Sequence, residues 1–386
     1  MSKPTIQDIF LQFYPKYLEK YTPSPQQSKV AHCIINCKTG AYGANISTCE
    51  DCGHTQIHYN SCRNRCCPMC QALPKEKWMD KRREDVLDAP YFHVVFTVPQ
   101  ELNPLIYSNQ QLLYDALYRS VSATINELTA DTKHLGAKVG YICVLHTWGS
   151  EMNFHPHIHV ILLGGGLTTK NQWRDKGEEF FLPIKVISKL FRGKYMDELK
   201  LLWNEKKLQF HGNSEKYRNH YTFKELLNIC YEKNWVPHCK KTFNGAQSVI
   251  NYLGKYTHRI AISNYRIIRI GEDTVTYYVK DYREKGKWKE YTIAGIEFIR
   301  RFLMHVPPKR FVRIRHYGLL CTRSKTKHLT LCRNLLGCKQ YLSRLKDMET
   351  PQILETLYGI KVTVCKCCGG HLRKTQQRIA NVNIKM

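Results

Sequence analysis

Two histidines separated by one residue are the first feature of the sequence that could do chemistry. They are His157 and His159, within residues 154–160. The apolar residues on both sides of this run predict a β-strand, in which side chains alternate between the two faces. Both imidazoles should therefore lie on one face, where their ring nitrogens could bind one divalent metal ion.

His146 could supply a third imidazole to the same metal ion. It lies eleven residues before His157, at the end of another predicted strand over residues 140–146. An antiparallel pairing of the two strands would bring His146 beside the pair. Glu151 and Gln247 are alternatives for this third position. Oxygen ligands would favour Mg²⁺, whereas three imidazoles also suit Mn²⁺ and Zn²⁺, and we expect Mg²⁺ or Mn²⁺ here.

Two tyrosines, Tyr252 and Tyr256, are four residues apart in a segment that favours a helix. On a helix this spacing places both phenols on one face. A phenol has a pKa of about 10, so it is protonated at neutral pH and is a poor nucleophile there. It can attack a phosphodiester when a metal ion polarises the phosphate. Histidines and tyrosines together therefore favour a reaction that links tyrosine covalently to a nucleic acid phosphate.

The sequence contains 17 cysteines, several of them clustered near the N-terminus. Clustered thiols in a reducing compartment are expected to bind metal rather than to form disulfides. Two Cys-x-x-Cys pairs predict one tetrahedral zinc site made of Cys49, Cys52, Cys67 and Cys70. A second zinc site is predicted from the neighbouring candidates, which are Cys37, His54, Cys62 and Cys66, with Cys33 and His58 as alternatives.

A third Cys-x-x-Cys pair, Cys365 with Cys368, lies near the C-terminus. No partner pair stands next to it in the sequence. Cys332 and Cys338 are candidates for that role, and the sequence does not decide between a zinc site and free thiols.

The chain is strongly basic, with 59 lysines and arginines against 32 aspartates and glutamates and a formal net charge of +27. Such a charge favours a polyanionic partner, because contacts to phosphates release counterions. A ribosomal, RNA-processing or anionic-membrane protein would show a similar charge. The 24 tyrosines and six tryptophans shift the balance toward unpaired bases, which stack on aromatic rings.

Two broad classes of protein are disfavoured. No uninterrupted apolar run approaches the ~18 residues of a membrane span, and the first residues lack a signal-peptide core. The sequence also lacks the G-x-x-x-x-G-K-[ST] phosphate loop, which argues against an ATPase or helicase. We therefore expect an intracellular protein that has no membrane partner. The sequence does not predict an oligomeric state.

Several motifs occur together in an order that is specific. They are S-C-R-N-R-C-C-P-M-C-Q, F-T-V-P, H-T-W-G, H-P-H-I-H, Y-L-G-K-Y-T-H-R and R-I-R-H-Y-G-L-L. This set resembles the HUH transposases of rolling-circle insertion sequences, specifically the group with two tyrosines and an N-terminal zinc domain. The resemblance covers about residues 28–370. In that family a histidine commonly stands where this chain has Cys66, and cysteine would keep a zinc ligand.

The resemblance implies a DNA strand-transferase. Tyr252 and Tyr256 would be the nucleophiles, each linked in turn to a DNA 5′ phosphate, while His146, His157 and His159 would bind the metal ion. The partner would be single-stranded or hairpin DNA at the ends of the element, and the protein would work in the bacterial or archaeal cytoplasm, associated with the nucleoid. The alternatives are a plasmid or phage rolling-circle replication initiator or relaxase, and a zinc-containing nucleic-acid-binding protein without catalytic activity.

These residues require elements that position them. The resemblance implies an α+β fold with an HUH endonuclease core, a small antiparallel sheet flanked by helices. We expect an N-terminal helix and zinc-binding, DNA-binding module over residues 1–85. The catalytic domain would span residues 86–265, and a helix is predicted within it over about residues 108–129. A helical insertion is expected at about 168–240, with helical stretches around residues 184–191 and 197–206. A basic region with a possible zinc knuckle would span residues 266–386.

Overall fold

The computed structural model describes residues 3–177, 182–235, 238–241, 248–249, 254, 260–281, 284 and 286–378. These residues form helices and antiparallel strands that assemble into three sheets. The predicted α+β class is therefore confirmed. None of the described helices combines the length and the apolarity that a membrane span requires.

The elements of the described residues are numbered in chain order. The strands are β1 Ala44–Cys49, β2 Thr55–Tyr59, β3 Tyr91–Thr97, β4 Lys138–Trp148, β5 Phe154–Leu167, β6 Trp173–Asp175, β7 His238–Lys241, β8 Ile267–Ile270, β9 Thr274–Asp281, β10 Lys287–Ala294, β11 Ile314–Gly318 and β12 Leu372–Arg378. The α-helices are α1 Ile6–Lys20, α2 Pro25–Ile35, α3 Ala72–Arg83, α4 Asn103–Ser108, α5 Gln110–Ala130, α6 Ile184–Asn204, α7 His220–Glu232, α8 Gly295–Met304, α9 Lys325–Leu336 and α10 Thr350–Tyr358.

The largest sheet has the strand order β11-β4-β5-β3-β7, and β6 adds to β5. Its two longest strands, β4 and β5, are central antiparallel neighbours, with His146 opposite His157 and Val144 opposite His159. Both strands follow the apolar runs that predicted them. Because strand side chains alternate, this register places the three histidines on one face of the sheet.

The other face of the sheet packs against helices. Ile158 and Val160 of β5 belong to a core that includes Leu117 and Val121 of α5. The apolar residues of α5 recur at helical spacing, which is why the segment predicted as helix forms one. Burial of each such side chain is worth about 1.5–3 kcal/mol. The apolar face of β5 is thereby fixed to α5, and its histidine face is left for the site.

Helix α6 lies in the segment predicted as an insertion. The sequence suggested two helical stretches, around residues 184–191 and 197–206, but the structure joins them into one helix that packs on α5. The buried face of this helix continues through the predicted break, where Phe191, Tyr195 and Met196 are fully buried. Phe191 meets Phe96 of β3 edge to face, with ring centroids 5.0 Å apart. The segment is therefore part of the main core.

The N-terminal helices pack against the sheet formed by β8, β9 and β10 and against α8. Phe10 of α1 and Phe302 of α8 are in edge-to-face contact at 5.2 Å. Gly295 begins α8 beside the ring of Phe13, where a Cβ atom would lie 2.4 Å from the ring carbons. The interpretation of α1 as a packing helix agrees with these contacts.

Candidate active site and metal centres

Three histidines converge on the open face of the central sheet. One ring nitrogen from each of His146, His157 and His159 lies within 4.8 Å of the others. β4 supplies the first histidine, and β5 supplies the other two through the alternation that the H-x-H spacing predicted. Glu151, the alternative third ligand, is not in this group, and Gln247 lies outside the described residues.

The hydrogen bonds of two rings indicate which nitrogens are available. Nδ1 of His157 lies 2.6 Å from the main-chain carbonyl oxygen of His155, so Nδ1–H donates and Nε2 keeps its lone pair. That Nε2 atom lies 3.1 Å from Nε2 of His159. Two ring nitrogens facing each other this closely need a proton or a cation between them. The donor set therefore fits a bound metal ion.

His93 of β3 is a further member of this site that the sequence interpretation missed. Its Nε2 atom lies 2.8 Å from Nδ1 of His159, and the two rings stack with centroids 5.1 Å apart. A partner on Nδ1 directs Nε2 of His159 toward the other two histidines. The available signal was a histidine within the apolar β3 run, on a strand that pairs with β5.

Burial keeps the histidines of β5 neutral. It lowers the pKa of His157 to about 3, with smaller contributions from His155 and His93. Burial also lowers the pKa of His159 well below its usual value, and the neighbouring His146 and His157 lower it further. Neutral imidazoles offer lone pairs to a metal ion at physiological pH.

A cavity of about 920 Å³ opens in front of the histidines. Its walls come from three parts of the chain. The histidine face forms one wall, Arg65 and Lys75 of the N-terminal module line the second, and Lys280 and Trp288 of the β8–β10 sheet line the third. Lys280 lies over the Trp288 ring, with Nζ 5.2 Å from its centroid. Basic groups and an exposed aromatic ring suit a phosphate backbone and its bases.

The two predicted nucleophiles, Tyr252 and Tyr256, lie outside the described residues. Gly254, midway between them in sequence, is described and lines the same cavity. A Cβ atom at this glycine would lie 1.8 Å from Sδ of Met79. A side chain at this position would thus meet Met79 of α3.

Two other tyrosines, Tyr265 and Tyr317, are alternatives as nucleophiles. Tyr265 lines the cavity and exposes 68% of its surface. Tyr317 instead stacks on Tyr141, with centroids 5.2 Å apart, and burial raises its pKa to about 12. Of these two, Tyr265 is better placed for chemistry in the cavity.

The cysteines form two clusters of four, and their grouping differs from the prediction. The single site expected from Cys49, Cys52, Cys67 and Cys70 is wrong, because the β1–β2 hairpin separates the two Cys-x-x-Cys pairs. Cluster A contains Cys37, Cys62, Cys67 and Cys70. Cluster B contains Cys49, Cys52, Cys365 and Cys368. In each cluster the sulfur atoms lie within 4.8 Å of one another.

Two residues predicted for the second zinc site belong to neither cluster. His54 is exposed, and its main-chain oxygen accepts a hydrogen bond from the Cys49 N–H, so it contributes to a turn. Cys66 is buried at the cavity wall, and burial raises the pKa of its thiol to about 11. The predictions for both residues are wrong, since neither side chain is among the grouped ligand atoms of the described residues. The alternatives Cys33 and His58 are also outside the clusters.

Cluster A has the features of a closed structural site. Cys37 and Cys67 are fully buried, and Cys62 and Cys70 are partly buried. Hydrogen bonds from the other thiols of the cluster hold the pKa of Cys70 well below its usual value. Four thiol groups with no open position for water are the donor set that structural zinc prefers.

Comparison with known proteins finds one family match in the N-terminal part of the chain and another in the part that carries the three histidines. A family described as "Transposase zinc-binding domain" matches residues 9–98, and a family described as "Putative transposase" matches residues 140–328. A "Putative transposase y4qJ" of Sinorhizobium fredii is 40% identical over 95% of this chain and 93% of its own length. The "Transposase for insertion sequence element IS801" of Pseudomonas savastanoi pv. phaseolicola is 27% identical over 84% of this chain and 75% of its own.

Solved structures match over smaller parts of the chain. A metal-bound conjugative relaxase TrwC in complex with oriT DNA matches 28% of this chain and 43% of its own, with 17% identity and a TM-score of 0.24. The family assignment rests on the sequence relatives, one of which matches nearly the whole length of this chain. The chain thus belongs to the IS91-type family of rolling-circle transposases and carries the transposase zinc-binding domain of that family.

Proposed function

We propose that this transposase cuts and rejoins single-stranded DNA at the histidine site, with Tyr252 and Tyr256 as nucleophiles. The observation that carries the proposal is the convergence of His146, His157 and His159 beneath a basic cavity. Gly254, between the two tyrosines in sequence, lines that cavity as well.

The imidazoles of His146, His157 and His159 would hold the metal ion, for which we propose Mg²⁺ or Mn²⁺. A bound divalent cation would polarise the scissile phosphate and stabilise the charge that develops on it. Arg65 and Lys75 would bind the DNA backbone, and Trp288 would stack on an unpaired base. These contacts would place one phosphate in front of the histidines.

In the proposed step, the hydroxyl oxygen of one tyrosine attacks the phosphorus atom. A new bond forms between that oxygen and phosphorus, and the bond from phosphorus to the 3′ oxygen breaks. The phenol proton is lost and the leaving oxygen gains a proton, so that a free 3′ hydroxyl departs. The 5′-phosphotyrosine bond conserves the energy of the phosphodiester, so a later attack by a 3′ hydroxyl can rejoin DNA. With two tyrosines, one could hold the first cut strand while the other attacks the next junction.

The decisive test is cleavage of labelled single-stranded or hairpin DNA from the ends of the element, in the presence of Mg²⁺ or Mn²⁺. His157→Ala should abolish cleavage and largely preserve binding, because affinity comes from a dispersed basic surface. His58→Ala, which changes an exposed histidine outside the site, is the matched control.

The nucleophiles are tested by the covalent adduct that survives denaturation. The double variant Tyr252→Phe, Tyr256→Phe should form none, since phenylalanine keeps the ring but lacks the attacking oxygen. Tyr221→Phe changes a tyrosine that is 80% exposed and serves as control. An adduct in the double variant would refute both assignments, and Tyr265→Phe in that background would then identify the alternative nucleophile. If the wild-type protein binds DNA but forms no adduct, the result would support the alternative of a nucleic-acid-binding protein without catalytic activity.

A further inference from the structure

We propose that cluster B binds a structural zinc ion that joins the two ends of the chain. The cluster combines Cys49 and Cys52 of the N-terminal module with Cys365 and Cys368. Cys365 lies 313 residues after Cys52 in the sequence. The zinc-binding domain that the family comparison identifies ends at residue 98 and contains only one of these pairs. The second pair therefore makes a site that sequence comparison does not assign.

The sulfur positions fit one tetrahedral ion. Sγ of Cys49 lies 3.5 Å from Sγ of Cys368, and Sγ of Cys52 lies 3.7 Å from Sγ of Cys365. Zinc–sulfur bonds of about 2.3 Å in tetrahedral geometry require sulfur separations of about 3.8 Å. These two distances are close to that value, and all four sulfur atoms lie within 4.8 Å of one another.

The two halves of cluster B have the same main-chain structure. In the first, Cys49 N–H donates to His54 O at 2.9 Å, and Gly53 N–H donates to Cys49 O at 3.1 Å. In the second, Cys365 N–H donates to Gly370 O at 2.8 Å. Gly369 N–H donates to Cys365 O at 3.0 Å, which completes the repeat. The motif Cys-x-x-Cys-Gly therefore builds the same tight turn twice.

The glycine that follows each pair has a positive φ, +71° for Gly53 and +80° for Gly369. This conformation closes the turn and is readily adopted by glycine. In the C-terminal turn, main-chain N–H groups also point at sulfur, from Cys367 to Cys365 and from Gly370 to Cys368, each at 3.4 Å. Such donors favour the thiolate form that binds metal.

The two turns are in direct contact. Strand β12 continues from the second turn and pairs with β1, so that Cys49 lies opposite Leu372. Glu50 N–H donates to His371 O at 3.0 Å. A Cβ atom at Gly370 would lie only 2.0 Å from Oδ2 of Asp51. The absence of a side chain at Gly370 therefore lets the Asp51 carboxylate lie directly against the second turn.

Apolar packing by itself does not explain why the C-terminal segment stays in place. Around cluster B, the buried hydrophobic residues are Cys49, Cys365 and Leu372 alone among the described residues. A core of this size stabilises very little, and small modules of this kind usually depend on disulfides or a metal ion. Zinc bound by four thiolates supplies that stabilisation, and it would close a loop of more than 300 residues.

The first test compares two neighbouring thiols in the protein as purified. Cys367 and Cys368 are both exposed, but only Cys368 belongs to cluster B. Alkylation followed by peptide mass spectrometry should modify Cys367 at least tenfold faster than Cys368. After treatment with a strong chelator, the two rates should become similar. Equal rates before chelation, or a disulfide at either pair, would overturn the proposal.

The second test counts zinc released by a thiol-specific mercurial, which does not displace zinc from histidines. The double variant Cys365→Ser, Cys368→Ser should release one zinc ion per chain fewer than the wild type. Cys367→Ser, in the same turn, should release as much as the wild type. Limited proteolysis should remove residues after 360 much faster in the double variant than in the control. Equal zinc release from the double variant and the wild type would refute the site.

Discussion

The residues around the histidine site act as a set, because each ring is oriented by a neighbour. The carbonyl of His155 fixes Nδ1 of His157, and His93 fixes Nδ1 of His159. Partners of this kind usually matter almost as much as the ligands, since they set the tautomer and the direction of the lone pair. His93 is therefore a positioning residue, and the metal-binding role proposed for His159 depends on it.

We predict that His93→Phe weakens Mn²⁺ binding by roughly 10- to 100-fold, because the ring is kept but the polar partner of His159 is lost. Direct titration of Mn²⁺, without DNA, measures this effect independently of activity. His93→Gln retains a polar group and should restore part of the affinity. Unchanged affinity in the phenylalanine variant would show that His159 is oriented by other contacts.

A second residue-scale prediction concerns pH. His305 is buried, its Nε2–H donates to Met152 O at 2.9 Å, and its Nδ1 lies 3.1 Å from the hydroxyl of Thr147. Burial lowers the pKa of His305 to about 4. In the unfolded chain a histidine has a pKa of about 6.5. Between this pH and the lower pKa of the folded state, the unfolded chain binds a proton at His305 that the folded chain does not bind. The contribution of His305 to stability is thus present above pH ~6.5 and is lost as pH falls toward 4.

The size of this contribution follows from the change in pKa. One pKa unit corresponds to about 1.4 kcal/mol, so His305 accounts for at most about 3.5 kcal/mol between these limits. Denaturant unfolding measures the free energy of unfolding at several pH values. As the pH falls from about 6.5 to about 4, this free energy should decrease less for His305→Gln than for the wild type. Parallel curves for the two proteins would contradict the assignment.

At the scale of elements, the position of α1 depends on its contact with α8. Gly295 stands where a side chain would meet the ring of Phe13. Close packing of this kind lets one helix approach another, and added atoms force the elements apart. Because α1 also contacts the β8–β10 core, displacement of α1 would be transmitted to the sheet that carries Lys280 and Trp288.

We predict that Gly295→Ala destabilises the protein by about 1–3 kcal/mol through this clash. Gly193, within α6, is the matched control, since nothing lies within 4 Å of a Cβ atom there. Gly193→Ala should instead stabilise the protein by up to about 1 kcal/mol, because alanine favours a helix. Thermal unfolding of the two variants distinguishes these opposite signs. A stabilised Gly295→Ala variant would show that α1 accommodates the methyl group.

At the scale of the whole molecule, the cavity exists because distant parts of the chain are fixed together. Arg65 Nη1–H donates to Phe311 O at 2.6 Å and joins the zinc module to the segment before β11. The basic residues that line the cavity come from both the N-terminal module and the β8–β10 sheet. With a net charge of +27, the protein is expected to attract DNA over much of its surface, and we propose that the strand to be cut enters this cavity.

We predict that affinity for single-stranded DNA falls steeply with salt and exceeds affinity for blunt duplex. Four contacted phosphates would give a slope of log K against log salt of about −2.8. Lys75→Gln and Lys280→Gln should each reduce that slope by about 0.7. Lys216→Gln, at an exposed lysine that does not line the cavity, is the control. A flat salt response or a preference for duplex would contradict this account of binding.

The sequence by itself determined the features that depend on local geometry. The H-x-H spacing placed His157 and His159 on one face of β5, because strand side chains alternate whatever the strand packs against. The Cys-x-x-Cys-Gly pattern likewise determined each tight turn, and the apolar spacing predicted α1, α5 and the central strands.

Only the tertiary structure decided which local units meet. The sequence could not show that His93 contacts His159, that His146 faces His157, or that Cys49 and Cys52 join Cys365 and Cys368. Neighbouring strands are selected by burial of the apolar faces of the whole chain, which is a property of no single segment. Equal spacing made two N-terminal Cys-x-x-Cys pairs look like one site. The β1–β2 hairpin separates these pairs, and the pairing of β1 with β12 brings the C-terminal pair to the first of them.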